Sequence, residues 1–134
     1  MPDRYFLDTD ILIYAYSNSE PHKADIANSM LFEGESIISS QVINEFSNIC
    51  LKKLKLKENA VIGAIHEITS VTHVVGFSLA TQLRALQLCE VHCFSYYDAL
   101  IASTALENHC PILYSEDMQN NQLIDNQLRI VNPF

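Results

Sequence analysis

Tryptophan is absent from the 134 residues, and glycine occurs only at positions 34, 63 and 76. So sparse a set of glycines leaves no Gly-rich loop to cradle a nucleotide phosphate. Basic charge is scarce as well: 8 lysines and arginines stand against 16 acids, a formal net charge of −8. That is the wrong sign for holding nucleic acid by basic surface alone. The uncharged stretch from Ile68 to Leu83 is too short for a membrane span and carries Thr, Ser, His and Gln. Met1-Pro2-Asp3-Arg4 leads straight into strand-like Tyr5-Phe6-Leu7 without a secretory signal, so a soluble, cytoplasmic protein with no membrane attachment is expected. An HExxH helix and a serine nucleophile elbow are both missing, which removes two common hydrolase chemistries. The cysteines at 50, 89, 93 and 110 form no Cys-x-x-Cys pair, and reduced, mostly buried thiols are expected. Cys89, His92 and Cys93 have no second pair to complete a zinc tetrahedron. His22, His66, His73 and His109 are scattered without ligand spacing.

What remains is a folding composition, 49% hydrophobic and 18% charged. The length suits one domain over residues 1–134 with a single core. Four of the eight basic residues sit together in Lys52-Lys53-Leu54-Lys55-Leu56-Lys57. A solvated helix end accounts for them more readily than a phosphate-steering edge does. The acidity is either solubilising surface or a site that attracts phosphate once a metal has bound.

Short apolar runs alternate with helical patterns. Strands are predicted at Tyr5-Phe6-Leu7, Ser36 to Ser39, Thr72 to Val75, Pro111 to Tyr114 and Leu128 to Val131. Helical segments are predicted from Ile11 to Tyr16, Pro21 to about Phe32 with Gly34 ending it, and Gln41 to about Lys53. Others run from about Lys57 to Ser70, from Leu79 to Leu88, and from Ser95 to about Asn108. The alternation implies an α/β fold with a mostly parallel sheet of about five strands and helices on both faces. No internal repeat or linker interrupts it.

Open parallel sheets form their sites outside the carboxyl ends of the strands. Asp8 directly follows the first strand, and Ser115-Glu116-Asp117 directly follows the fourth. Glu45 stands three residues after Val42 and four before Ile49, on the border of the buried stripe of its helix. Asp98 lies in the first turn of the helix opened by Ser95. Each acid has a duller role available, since Asp98 with Ser95 resembles a capping box and Asp8, Thr9 and Asp10 suit a helix cap. Taken together, four such coincidences at one sheet edge favour a site. Two carboxylates ~4 Å apart repel by about 4 kcal/mol at an effective dielectric near ~20, and a divalent cation removes that cost. Oxygen-only ligands suit Mg²⁺ or Mn²⁺, which can activate water for attack on a phosphodiester.

Three segments, Phe6-Leu7-Asp8-Thr9-Asp10-Ile11-Leu12, Ser39-Ser40-Gln41-Val42-Ile43-Asn44-Glu45-Phe46 and Tyr97-Asp98-Ala99-Leu100-Ile101-Ala102, resemble the PIN-domain nucleases. A fourth, Ile112-Leu113-Tyr114-Ser115-Glu116-Asp117, is similar to the strand and hydroxyl-x-Asp turn of that family. The likeness is strongest to the VapC-type toxins of bacterial VapBC toxin–antitoxin pairs. It implies an Mg²⁺- or Mn²⁺-dependent endoribonuclease whose metal is held by Asp8, Glu45, Asp98 and Asp117. Thr9 and Ser115 would support those carboxylates. The resemblance further implies an RNA substrate, a homodimer and a small antitoxin whose tail enters the site. Position 10 is often asparagine or serine in the family and is Asp10 here, while Glu116 adds another acid; both rank below the four.

Two other readings compete. Asp8-Thr9-Asp10 resembles the nucleophile pair of haloacid-dehalogenase phosphatases, but Leu12 stands where that motif wants threonine, and Glu45 and Asp98 are left without work. A non-catalytic module docking basic peptides on its acidic edge would suit the −8 charge. Tyr96 and Tyr97 flank Asp98 and are expected to pack rather than stack on a base.

Overall fold

A computed structural model describes residues 4–134. The Met1-Pro2-Asp3 start, on which the expectation of no leader rests, lies outside them. Strand β1 (Tyr5–Leu7) is buried at every residue, as a strand covered on both sheet faces must be. It pairs in parallel with β2 (Ser36–Ser39) on one side and with β4 (Ile112–Tyr114) on the other. Beyond β2 lies β3 (His73–Val75), and beyond β4 lies β6 (Leu128–Val131), both parallel to their neighbours. The sheet order is β3-β2-β1-β4-β6-β5.

The sixth strand, β5 (Leu123–Ile124), is one more than the sequence pattern predicts. It runs antiparallel to β6 at the sheet edge. Two residues are too few to show an alternation. The turn that makes the hairpin is nonetheless chemically marked. Asp125 and Asn126 both take left-handed backbone, at φ 50° and 55°, which Asp and Asn tolerate better than other side chains. The Gln127 N–H closes that turn on the Ile124 carbonyl at 3.0 Å.

Among the described residues six helices connect the strands: α1 (Thr9–Ala15), α2 (Pro21–Phe32), α3 (Ser40–Lys52), α4 (Glu58–Val71), α5 (Leu79–His92) and α6 (Tyr96–Glu107). Proline at the first position of α2 has a suitable φ and no N–H to leave unpaired. Helix α1 begins at Thr9, earlier than the apolar pattern suggests, because the Asp8 side chain caps it. Helix α5 runs four residues past Leu88 and ends at Cys93, whose φ is 60°. Gly34 serves by its small size, not by its backbone angle: a Cβ there would stand 2.0 Å from the Tyr5 hydroxyl. That hydroxyl donates to the Met30 carbonyl at 2.6 Å, tying β1 to α2. Helix α6 is buried along its length from Ala99 to Leu106, and therefore fixes Asp98 at its open end.

Candidate functional site

Strands β1 and β4 end together, with Leu7 paired to Tyr114, so the residues that follow leave the sheet at one edge. The Asp8 N–H donates to the Tyr114 carbonyl at 3.0 Å. Asp8 is only 4% exposed, and both of its carboxylate oxygens are engaged. Oδ1 accepts the Thr9 N–H at 2.7 Å, and Oδ2 accepts the Ser115 hydroxyl at 2.7 Å. The Asp8 side chain thus caps α1 and stands at the shared strand edge at once.

Glu45 arrives from α3, whose start is fixed by the Ser39 hydroxyl accepting the Val42 N–H at 3.2 Å. Its two oxygens accept the Thr9 hydroxyl at 3.2 Å and the Gln41 amide at 3.0 Å. Asp98 enters from the first turn of α6, where its N–H donates to the Ser95 hydroxyl at 3.4 Å. Asp117 is exposed on the turn after β4. All four acids, with Asp10 and Glu116, line one cavity of about 440 Å³. A slightly larger cavity, about 490 Å³, lies at the opposite edge around Arg4, Ser36 and His73, but among the described residues its lining includes a single carboxylate, Glu35.

Asp10 and Glu116 have distinct placements. Asp10 Oδ2 accepts the N–H groups of Glu116 at 3.0 Å and Asp117 at 3.2 Å, so it holds the turn that carries Asp117. Its Oδ1 is buried and has no hydrogen-bond partner among the described residues. Glu116 is drawn off by Lys23 and by the Tyr14 hydroxyl. Tyr14, Lys23 and Gln41 are parts of the site that sequence reasoning missed. Gln41, four residues before Glu45 on the same helix, was readable by spacing; Lys23, 93 residues from Glu116, was not. Lys53, from the basic cluster, also lines the cavity, and like its neighbours Lys52, Lys55 and Lys57 it is exposed, as a solvated helix end should be.

The electrostatics are those of negative charge held out of water. Burial pushes the Asp8 carboxyl well above its ordinary value, and the charges of Asp10 and Asp98 add to this against the Ser115 and Thr9 hydrogen bonds. Burial and then Asp117 raise Asp10 to about 7, against the two backbone N–H groups. Asp98 is raised chiefly by burial, with Asp117 adding and Ser95 opposing. Glu116 moves the other way, lowered by Lys23 and Tyr14.

Such a set fits a hard divalent cation: the donors are oxygens, they are under-neutralised, and one buried oxygen of Asp10 lacks any partner. The carboxylates share the cavity without converging. Among the described residues no three His, Cys, Asp or Glu side chains stand in ready ligand geometry. Asp8, Glu45 and Asp10 are each held by their own hydrogen bonds.

Other expectations concern the surroundings. Cys50 and Cys110 are buried, Cys89 is half-buried and Cys93 is exposed, so fewer thiols are buried than composition suggests. Tyr96 packs against the core, whereas Tyr97 is exposed. Among the described residues no helix is long and apolar enough to cross a membrane.

Comparison with known proteins follows the same lines. The family model described as PIN domain matches residues 5–122. No curated protein matches the chain in sequence. Among solved structures, VapC20 of Mycobacterium tuberculosis, described as a sarcin-ricin loop cleaving toxin, is similar with a TM-score of 0.70 and 14% identity. That match covers 84% of this chain and 89% of the other. VapBC2 of Rickettsia felis, bound to a DNA fragment from its promoter, gives 0.69 and 20%, over 96% and 99% of the two chains. A toxin–antitoxin complex from Klebsiella pneumoniae gives 0.70 and 20%, over 97% and 98%. At these identities the likeness establishes the fold.

Proposed function

The chain belongs to the PIN domain family, and on that premise we propose that it is a divalent-metal-dependent endoribonuclease, the VapC-type toxin of a toxin–antitoxin pair. The observation that carries this reading is the delivery of Asp8, Glu45, Asp98 and Asp117 to one oxygen-lined cavity from four separate places in the chain. Those four residues would hold Mg²⁺ or Mn²⁺, which when bound supplies charge neutralisation and an activated water for phosphodiester hydrolysis.

The protein's own part is positioning. Ser115 and the Thr9 N–H lock Asp8, and the Thr9 hydroxyl and Gln41 aim Glu45. Asp10 holds the turn bearing Asp117. Lys23 and Tyr14 neutralise Glu116 and keep it from competing with the four. Lys53 adds a cation at the cavity wall for an approaching phosphate. The naming of several structural neighbours as toxin–antitoxin complexes supports a small antitoxin partner. Self-association as a homodimer would cover the exposed stripe of Leu79, Leu83 and Leu86 on α5.

The phosphatase alternative asks Asp8 to act as a free nucleophile. Its burial and its two occupied oxygens argue against that. The test is cleavage of a labelled RNA pool beside a chromophoric phosphomonoester, each with Mg²⁺, with Mn²⁺ and with chelator. RNA cleavage that requires metal and disappears in folded Asp98→Asn and Glu45→Gln proteins is the expected result. Turnover of the monoester alone would favour the phosphatase. Failure of the wild type to cleave any RNA would leave the non-catalytic acidic module.

A further inference from the structure

We propose that a second cavity beside the acid pocket, walled by His92, Phe94, Gln119 and Gln122, is a nucleobase subsite seating one base next to the cleaved phosphodiester. The proposal rests on the nuclease reading and extends it to specificity. Asp98 and Asp117 line both cavities, so a phosphate held on the acidic side has its neighbouring nucleoside directly across their shared wall.

The two cavities differ in chemistry as the two halves of a nucleotide do. The acid pocket is built from carboxylates. Apart from the two shared acids, the lining of the second has no Asp, Glu, Lys or Arg and consists of ring, amide, hydroxyl and sulfur side chains. Its volume of about 220 Å³ falls below the ~300–1,000 Å³ of sites for drug-sized ligands, and suits a single flat ring system. His92 and Phe94 stack with centroids 5.5 Å apart and planes 25° apart, a platform that a base can extend.

Edge-reading groups stand beside that platform. The Gln122 amide nitrogen lies 3.2 Å from His92 Nδ1. With the amide donating there, the ring proton sits on Nε2. That leaves an N–H donor on His92 and a carbonyl acceptor on Gln122, the pair of functions that recognises a base edge. The wall is also held from behind by backbone bonds that leave the Gln122 side-chain oxygen free. The Ile130 N–H donates to the Gln122 backbone carbonyl at 2.9 Å, and the Cys93 N–H to the Cys89 backbone carbonyl at 3.0 Å. The left-handed backbone of Cys93 then turns the chain into Phe94 and Ser95. Gln119 remains exposed, with its amide free of structural duty among the described residues.

The test uses the whole protein on four RNA substrates that differ only in the nucleotide adjoining the scissile bond. The wild type is expected to separate the best from the worst by about tenfold or more in kcat/KM. Gln122→Ala and His92→Ala should compress that spread to about threefold while cleavage stays metal-dependent; Gln119→Ala, an exposed substitution, guards against misfolding. A purely structural His92–Gln122 contact would lower every rate alike and leave the ratio standing.

A second arm is independent of activity. In chelator, the four nucleoside 5′-monophosphates are tested for protection of Cys93, which lines the subsite, against iodoacetamide, with Cys89 as internal control. Selective protection of Cys93 supports the subsite even where no RNA is cut, a result that would remove the nuclease reading alone. RNA cleavage with neither base preference nor protection overturns the subsite and leaves the nuclease. Absence of both cleavage and protection overturns both.

Discussion

The two walls of the acid pocket are held with unequal firmness. On the wall formed by the end of β1 and by α3, each oxygen of Asp8 and Glu45 accepts a hydrogen bond. On the wall formed by α6 and the turn after β4, Asp98 is steadied by Ser95, and Asp117 is exposed with no side-chain hydrogen bond among the described residues. Burying charge is costly on both walls and most so on the firm one: burial raises Asp8 well above its ordinary value and raises Asp98 as well. The loose wall is where side chains can move toward whatever enters. Fixed carboxylates on one side and adaptable ones on the other reconcile a cavity rich in acids with the lack, among the described residues, of a ready-made ligand cluster.

Substitution on both walls should break this comparison most sharply. Asp8→Asn and Asp117→Asn are each expected to reduce metal-dependent cleavage by more than the ~100-fold upper range for a supporting residue. Their thermal unfolding in chelator should diverge. Asp8→Asn removes an under-neutralised buried charge and should raise Tm, whereas Asp117→Asn, at the surface, should change stability by no more than about 0.5 kcal/mol. Identical Tm shifts would abolish the distinction between the walls.

Ser115→Ala comes next. It leaves Asp8 Oδ2 without its donor and the Met118 N–H without the acceptor it meets at 3.3 Å. A stability cost of about 1–3 kcal/mol in a denaturant titration is expected, with an activity loss of about 10–100-fold.

Asp10 gives a pH signature. Its carboxyl rises from 3.8 in the unfolded reference to about 7 in the folded protein. Between those values the folded chain keeps a proton that the unfolded chain has released, so stability falls as pH climbs through that window. In chelator the wild-type Tm should therefore decline more steeply than that of Asp10→Asn from about pH 4 to about pH 7. Added Mn²⁺ should flatten the decline. Parallel slopes for the two proteins would show that Asp10 bears no such burden.

The smallest effect belongs to Lys53→Gln. It should raise KM for RNA a few-fold at low ionic strength and have no effect at high salt, because steering by one surface charge is screened. A KM change that persists in salt would mean a direct and specific contact.

Much of this is legible in the sequence. The parallel architecture follows from apolar runs alternating with helical periods, and the positions of Asp8 and Asp117 follow from their places at strand ends. Glu45 was legible through Val42 and Ile49 on either side of it. What escaped depended on contacts between distant parts of the chain. Lys23 meets Glu116 across 93 residues, and Asp10 reaches the N–H groups of Glu116 and Asp117 across more than 100; neither pairing leaves a local pattern. Strand β5 escaped for the opposite reason, being too short to carry a period, although Asp125-Asn126 marks its turn.

The pairing of β1 with β4 has a consequence for how the molecule comes into being. Tyr5 and Ile112 are register partners, so the centre of the sheet joins an early segment of this domain to one synthesised much later. Until that late segment has left the ribosome, Asp8 has no Ser115 to hold it and no Asp117 opposite. Distant pairings of this kind also slow folding. A chain made only as far as α6 is therefore incapable of assembling the pocket, and any activity housed there can begin only after β4 and the turn that follows it have emerged.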